Sequence, residues 1–217
     1  MLLNVLKLGR IDYLDAYNLQ LDYVQKRRSG DVPDTLLLLE HPPVLTMGRH
    51  ADQSNIRADQ QTLKTNHVDV HHIERGGDVT YHGPGQLVGY MILDISTFNE
   101  DLKYLVWAIE ETFIQFLKKK FHLDSRRDPI NRGVWLNGDK ICAIGLSVRK
   151  GISMHGFAFN VDPDLNHYRW IVPCGIEGRG ATSLAAHLKR KILVDSLIEG
   201  VVEQYATAFG YHSVMWS

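Results

Sequence analysis

The sequence predicts an α+β fold, a mixed and largely antiparallel sheet flanked by helices, on three observations. Candidate strands outnumber candidate helices. An Asn137-Gly138 pair between two apolar runs is a strong hairpin signal. The run from Leu102 to Lys120 carries the 3.6-residue apolar period of a surface helix, so the chain is not all-β.

Taken in order, Asn4 to Leu8 reads as a strand, and Tyr13 to Arg28 as a helix with Leu14, Tyr17, Leu21 and Val24 on one face. Thr35 to Leu39 is a continuous apolar run, a buried strand ended by His41-Pro42-Pro43. The polar stretch from Gly48 to Asn66 reads as loop with a short helix. Val70 to Glu74 and Leu87 to Ile95 read as strands flanking the segment RGGDVTYHGPGQ. In the helix that follows, Leu102, Leu105, Val106, Ile109, Phe113, Phe116 and Leu117 make one stripe. Gly133 to Leu136, Lys140 to Val148 and Ile152 to Val161 are three further strands. A last helix carries Leu193, Leu197, Val201, Tyr205 and Ala208. No repeat, low-complexity block or linker divides the 217 residues, so residues 1–217 read as a single domain.

Composition narrows the class. Hydrophobic residues make up 44% and charged residues 23%, with a net charge of -1, so no global charge argues for nucleic acid or an anionic membrane as partner. Local basic clusters stand at Lys26-Arg27-Arg28, Lys118-Lys119-Lys120 with Arg126-Arg127, and Lys189-Arg190-Lys191. They read as solvated helix ends, or as docking points for an acidic protein. Two cysteines make no disulfide framework and suit a reducing compartment. The N-terminal apolar run is too short for a signal peptide and too acidic for a transit peptide, and no stretch reaches the roughly 20 apolar residues of a membrane span. The expectation is a cytoplasmic protein.

Four segments carry candidate chemistry. Arg75 to Gln86 holds four glycines among Arg75, Thr80, Tyr81 and His82, a bare backbone that a ligand or another strand can approach closely. It matches neither phosphate-loop pattern, so structural turn and binding loop both stand. Lys140 heads an apolar strand directly after the hairpin turn. It reads as a snorkelling strand-end lysine unless a partner gives it work. The run from Ser153 to Val161 alternates like a half-buried strand, with Gly156 and Ala158 leaving room for a ligand or for close packing. Cys174, between Pro173 and Gly175, lies in a turn and is more accessible than Cys142 in its apolar run. A nearby cation would make such a thiol a nucleophile.

Read together, RGGDVTYHGPGQL, GDKICAIGL, HGFAFNV followed by DPDL, and IVPCGI resemble the lipoyl(octanoyl) transferase family, in that family's order. LGRIDYLDAYNLQ and EHPPVLTMGR extend the likeness over nearly the whole chain. The resemblance implies a fold shared with biotin and lipoate protein ligases. It implies that Cys174 carries the acyl group and that Lys140 lowers the thiol pKa; given a depressed pKa of its own, Lys140 is also a candidate proton acceptor for the incoming amine. The acyl pocket would be lined by Arg75, Gly76, Gly77, Asp78, Val79, Thr80, Tyr81 and His82, by Ala143, Ile144 and Gly145, and by Gly156, Phe157 and Ala158. The implied donor is octanoyl-acyl carrier protein. The implied acceptors are lipoyl domains and the glycine-cleavage H protein, with no cofactor. An ammonium about 4 Å from a thiolate is worth about 4 kcal/mol at an effective dielectric of 20, before desolvation.

Three other classes compete. An ATP-dependent lipoate or biotin ligase needs no cysteine, and often carries a further C-terminal domain. A non-catalytic lipoyl-domain-binding module would dispense with Cys174 or Lys140. A metalloenzyme could draw on eleven histidines, but these are scattered, form no HExxH, and His71-His72 on a strand point apart, so no metal is expected.

Overall fold

The computed structural model describes residues 1–172 and 179–217. In chain order its elements are β1 (Leu2–Arg10), α1 (Tyr13–Ser29), β2 (Asp34–Glu40), β3 (Val44–Met47), α2 (Gln60–Thr65), β4 (Asp69–His72), β5 (Val79–His82) and β6 (Gln86–Ile92). There follow α3 (Leu102–Phe121), β7 (Arg126–Arg127), β8 (Val134–Leu136), β9 (Asp139–Arg149), β10 (Ile152–Asn160), α4 (Leu184–Leu188), α5 (Ile198–Phe209) and β11 (Ser213–Trp216).

Eight strands form the main sheet in the order β11-β1-β2-β6-β10-β9-β8-β7, parallel at β11-β1 and β1-β2. The remaining pairs are antiparallel, so the sheet is mixed and largely antiparallel. Asn137 and Gly138, both at positive φ, turn β8 into β9 as the sequence predicts for a two-residue hairpin. A second sheet, β4-β3-β5, was not anticipated. Its strands β3 and β5 are four residues each, too short for a period-two pattern to stand out, and β5 sits among glycines that read as loop. The four-residue β11, exposed along its length, was missed for the same reason.

The two faces of the main sheet are covered differently. On one, α3 and α5 bury a cluster that includes Phe113, Phe116, Phe157, Phe159, Val201 and Tyr205. On the other, α1 packs over Leu37, Leu39, Val88, Tyr90, Met154 and Ala158. β10 is therefore buried on both faces, where the sequence suggested a half-buried strand. Asp12 caps α1, its carboxylate accepting from Leu14 N at 2.9 Å, and Gly30 ends it in the left-handed conformation. The buried line of α1 is Tyr13, Ala16, Gln20 and Val24, and Leu14 is 50% exposed. The helix is turned from its expected face because Gln20 points inward, its Oε1 accepting from His155 N at 2.8 Å. In α3, Leu102 and Val106 leave the core and face a cavity instead. At the end of the chain, α5 begins at Ile198, and Leu193 is outside it and exposed. Lys26 to Arg28 and Lys118 to Lys120 do lie in the last turns of α1 and α3. Among the described residues no helix is long and apolar enough to cross a membrane.

The second sheet stands beside α1 over β9 and β10. Gly76 N donates to Leu146 O of β9 at 2.9 Å, and Tyr13 stacks on His71 of β4 with centroids 5.3 Å apart. These contacts enclose the cavity.

Candidate active site

The cavity measures about 420 Å³, within the usual range for small-molecule sites. Arg75 to Thr80 and His82 line it from the second sheet and the loop before it, Lys140 and Ala143 to Leu146 from β9, and Gly156 to Ala158 from β10. Gly145 allows this close approach. A Cβ there would stand 3.0 Å from Arg75 Cδ and 3.1 Å from Gly76 O, so the Arg75 loop would have to give by a few tenths of an ångström to admit one.

A hydrogen-bonded chain fixes the polar side of the cavity. Arg75 is buried, and its Nη2 donates to Thr46 O at 2.7 Å and to Thr46 Oγ1 at 3.0 Å, while Nη1 donates to Gly76 O at 3.0 Å. The Gln86 amide nitrogen donates to Asn160 Oδ1 and to Tyr168 Oη, both at 2.9 Å, so its Oε1 accepts from His82 Nδ1 at 2.7 Å. The second nitrogen of His82 lies 3.4 Å from Thr46 Oγ1. With both nitrogens engaged, His82 is placed to hold the wall in position.

Burial, then the neighbouring His41, hold His82 down to about 3. Burial also lowers His41 to about 4, and burial with the Arg75 cation lowers His155 to about 3. All three imidazoles are neutral in the folded protein at neutral pH. Their ordinary value is 6.5, so from pH 6.5 downward the unfolded chain binds protons that the folded chain does not. Stability contributed by keeping them neutral is full above pH 6.5 and falls as the pH drops toward 4, by about 1.4 kcal/mol per pH unit for each histidine. Urea unfolding at pH 7.5, 6 and 5 should show this loss, and His82→Gln should reduce the slope by about one proton.

Lys140 stands where β8 and β9 slip register, opposite Trp135, and its Nζ lies 4.9 Å from the Trp135 ring centroid. Gly133 leaves space for its stem: a Cβ there would lie 3.4 Å from Lys140 Cδ and 2.5 Å from Cys142 O. The Lys140 backbone is stitched to the chain that follows the PCG motif, donating to Gly180 O and accepting from Thr182 N, both at 3.0 Å. Asp139 Oδ1 accepts from Gly180 N at 2.9 Å, and Arg179 pairs with Asp128 and stacks over Trp135. Lys140 also lines a small adjoining pocket of about 30 Å³ with Arg179, Gly180 and Ala181.

Of the residues singled out in the sequence, Arg75, Gly76, Gly77, Asp78, Val79, Thr80, His82, Lys140, Ala143, Ile144, Gly145, Gly156, Phe157 and Ala158 thus share one cavity. Tyr81 does not line it. Strand alternation turns Tyr81 away from Thr80 and His82 into the core of the second sheet, where its hydroxyl shares a hydrogen bond of 2.6 Å with His167 Nδ1. Cys174 lies outside the described residues. Cys142 is buried, and burial pushes its thiol well above the ordinary value, which leaves it inert. Tyr13, Tyr90 and His155 also line the cavity, and sequence reasoning gave them no role. The signal available was His155 at the head of the HGFAFNV run.

Residues 12–206 match the lipoyl protein ligase A/B catalytic domain family. An octanoyltransferase of Alkaliphilus metalliredigens is 44% identical over 209 residues, 96% of either chain. The chain belongs to the octanoyltransferase family. Membership makes it an acyltransferase. Two solved structures show how this octanoyltransferase-family fold is shared. A lipoate-protein ligase A bound with ATP superposes with a TM-score of 0.75 at 16% identity, over all of this chain and 88% of that one. A biotin protein ligase from Aquifex aeolicus, in complex with biotin and ATP, does so at 0.58 and 15%, over 95% and 70%. The ligase-like fold implied by the sequence motifs is the observed one.

Proposed function

We propose that the chain, as one catalytic domain, moves an octanoyl group from octanoyl-acyl carrier protein to the target lysine of lipoyl domains and of glycine-cleavage H protein. Cys174 carries the group between them as a thioester. The observation that carries this reading is Lys140. It opens onto the cavity, and its backbone is bonded to Gly180 and Thr182, which follow Cys174 closely in the chain.

In the first half-reaction the Cys174 thiolate attacks the carbonyl carbon of the donor thioester. A tetrahedral oxyanion forms and collapses, and the carrier's thiolate leaves and takes the proton of the Lys140 ammonium, which leaves that amine neutral for the second half-reaction. In the second, the acceptor lysine's neutral amine attacks the acyl-enzyme and Cys174 leaves as thiolate. The proton lost from the amine passes to Lys140 or to the departing sulfur. Thioester exchange is nearly isoenergetic and amide formation runs downhill, so no nucleotide is consumed. The Ala143 and Ala158 pair across β9 and β10, on the α1 side of the sheet, leaves an apolar slot that suits an alkyl chain, each methylene contributing about 0.8 kcal/mol on burial. Of the two glycine amides in the Arg75 loop, that of Gly76 is committed to Leu146 O and is not available to the oxyanion. Gly77, or the backbone near Gly175, is left for that role.

The test is transfer from octanoyl carrier protein to an apo lipoyl domain without nucleotide. Octanoylated product in wild type and none in Cys174→Ala is the expected result. Transfer that appears only from free octanoate with ATP would replace this reading with the ligase one.

A further inference from the structure

The cavity reaches both faces of the main sheet. Residues paired across two strands share a face, so Ala143 with Ala158 turns toward α1, while Ile144 with Phe157 turns toward α3. The two parts meet around the edge of β9. Pairing with β8 stops at Cys142, and Gly76 N bonds the same edge at Leu146 O. Alternate residues of a strand present their backbone groups to one edge, so the N–H and C=O of Ile144 face the gap, where no described residue bonds them. On the α3 side the cavity is lined by Leu102, Val106, Ile130, Arg132 and Leu146. Leu102 is 42% and Ile130 84% exposed, so this part opens to solvent. Arg132 is exposed at the same rim. The carboxylates of Glu110, Glu111 and Asp128 are engaged by Arg127 and Arg179, which leaves Arg132 without an ion pair among the described residues.

We propose that the α3-side part of the cavity binds the phosphopantetheine arm of the acyl donor, its amides pairing with the Ile144 backbone and its phosphate meeting Arg132. The inference rests on the octanoyl-transfer reading and adds how the donor's arm is recognised. An acyl thioester extends both ways from its carbonyl. The slot at Ala143 and Ala158 takes the alkyl end, and the arm on sulfur must reach the surface through the rest of the cavity. That arm alternates amides with short alkyl links and a gem-dimethyl group, and ends in a phosphodiester. It matches an unpaired strand edge inside an apolar channel with a cation at its rim. A peptide strand of the acceptor fits less well, because the open edge inside the cavity runs only from Ala143 to Gly145, too short for a strand ladder.

The experiment measures acyl-enzyme formation from the octanoyl thioesters of phosphopantetheine, pantetheine and ethanethiol, in wild type, Arg132→Ala, Ile144→Pro and Ile144→Val. Changes in the rate ratios between variants cancel the donors' intrinsic reactivity. Arg132→Ala should cut the phosphopantetheine-over-pantetheine ratio about threefold. Proline at 144 removes the outward N–H and is tolerated on a strand edge. It should cut the pantetheine-over-ethanethiol ratio roughly 2- to 12-fold, the worth of a hydrogen bond, and Ile144→Val should not. Unchanged ratios, or equal losses for every donor as a purely structural role requires, overturn the proposal. So does normal capture with slowed delivery to a lipoyl domain, which would give the channel to the acceptor. Arg132→Ala decides alone if the proline variant does not fold. Failure of wild type to capture octanoyl from any donor sinks the transfer reading. The arm site is then decided by calorimetry with phosphopantetheine: weaker binding by Arg132→Ala than by wild type supports it, and equal or absent binding overturns it.

Discussion

Lys140→Ala is expected to capture octanoyl about 30-fold more slowly at pH 7 and to recover as the pH approaches 9. Without the ammonium, the Cys174 thiol returns toward its ordinary value of about 8.5, and only about 3% is thiolate at pH 7. Transfer onward to the acceptor lysine should suffer more, by a further 10²–10⁴-fold, because the proton acceptor is gone as well. Lys140→Arg divides the two roles. A guanidinium keeps the charge but not the proton transfer, so capture is largely retained and delivery is not. Rapid-quench measurement of acyl-enzyme formation between pH 6 and 9.5, beside steady-state transfer, separates these steps. A wild-type capture rate in Lys140→Ala at pH 7 would remove Lys140 from thiol activation.

Gly145→Val should lower transfer at least 10²-fold while the protein still folds. The added Cβ alone would sit 3.0 Å from Arg75 Cδ and 3.1 Å from Gly76 O, and valine brings two more methyl groups into the same cavity. The Arg75 loop must give by a few tenths of an ångström for the Cβ and further for the two methyl groups, which strains the Gly76 to Leu146 hydrogen bond and the Thr46-Arg75 contacts. A displacement of about 1 Å at a positioned substrate is enough for a 10²-fold loss. β9 itself favours valine, so Tm should fall by only a few degrees. Transfer and thermal unfolding measured on one preparation decide it. Full activity would show that the glycine is there for packing alone.

Most of the sheet and all the long helices were legible because they carry periodic patterns. Thr35 to Leu39, Lys140 to Val148 and Leu102 to Lys120 fall close to β2, β9 and α3. Where the pattern is short or polar, legibility fails for a physical reason. β3 and β5 have four residues each, and their pairing is set by contacts distant in sequence. The buried face of α1 depends on Gln20, whose burial only makes sense once His155 N is there to bond it. The candidate site divides the same way. Its glycine-rich loop, Lys140 and the small residues of β10 announce themselves by unusual local composition. Tyr13, Tyr90 and His155 do not, because they come from three elements that meet only in the fold. Tyr81 belonged to the right segment but to the wrong face of its strand.

The most direct measurement is to incubate the intact protein with octanoyl carrier protein, without nucleotide or acceptor, and to map the adduct by peptide mass spectrometry. The predicted result is one hydroxylamine-labile octanoyl group on the peptide containing Cys174, with Cys142 unmodified. No adduct in wild type under conditions where transfer to a lipoyl domain proceeds would contradict the thioester route.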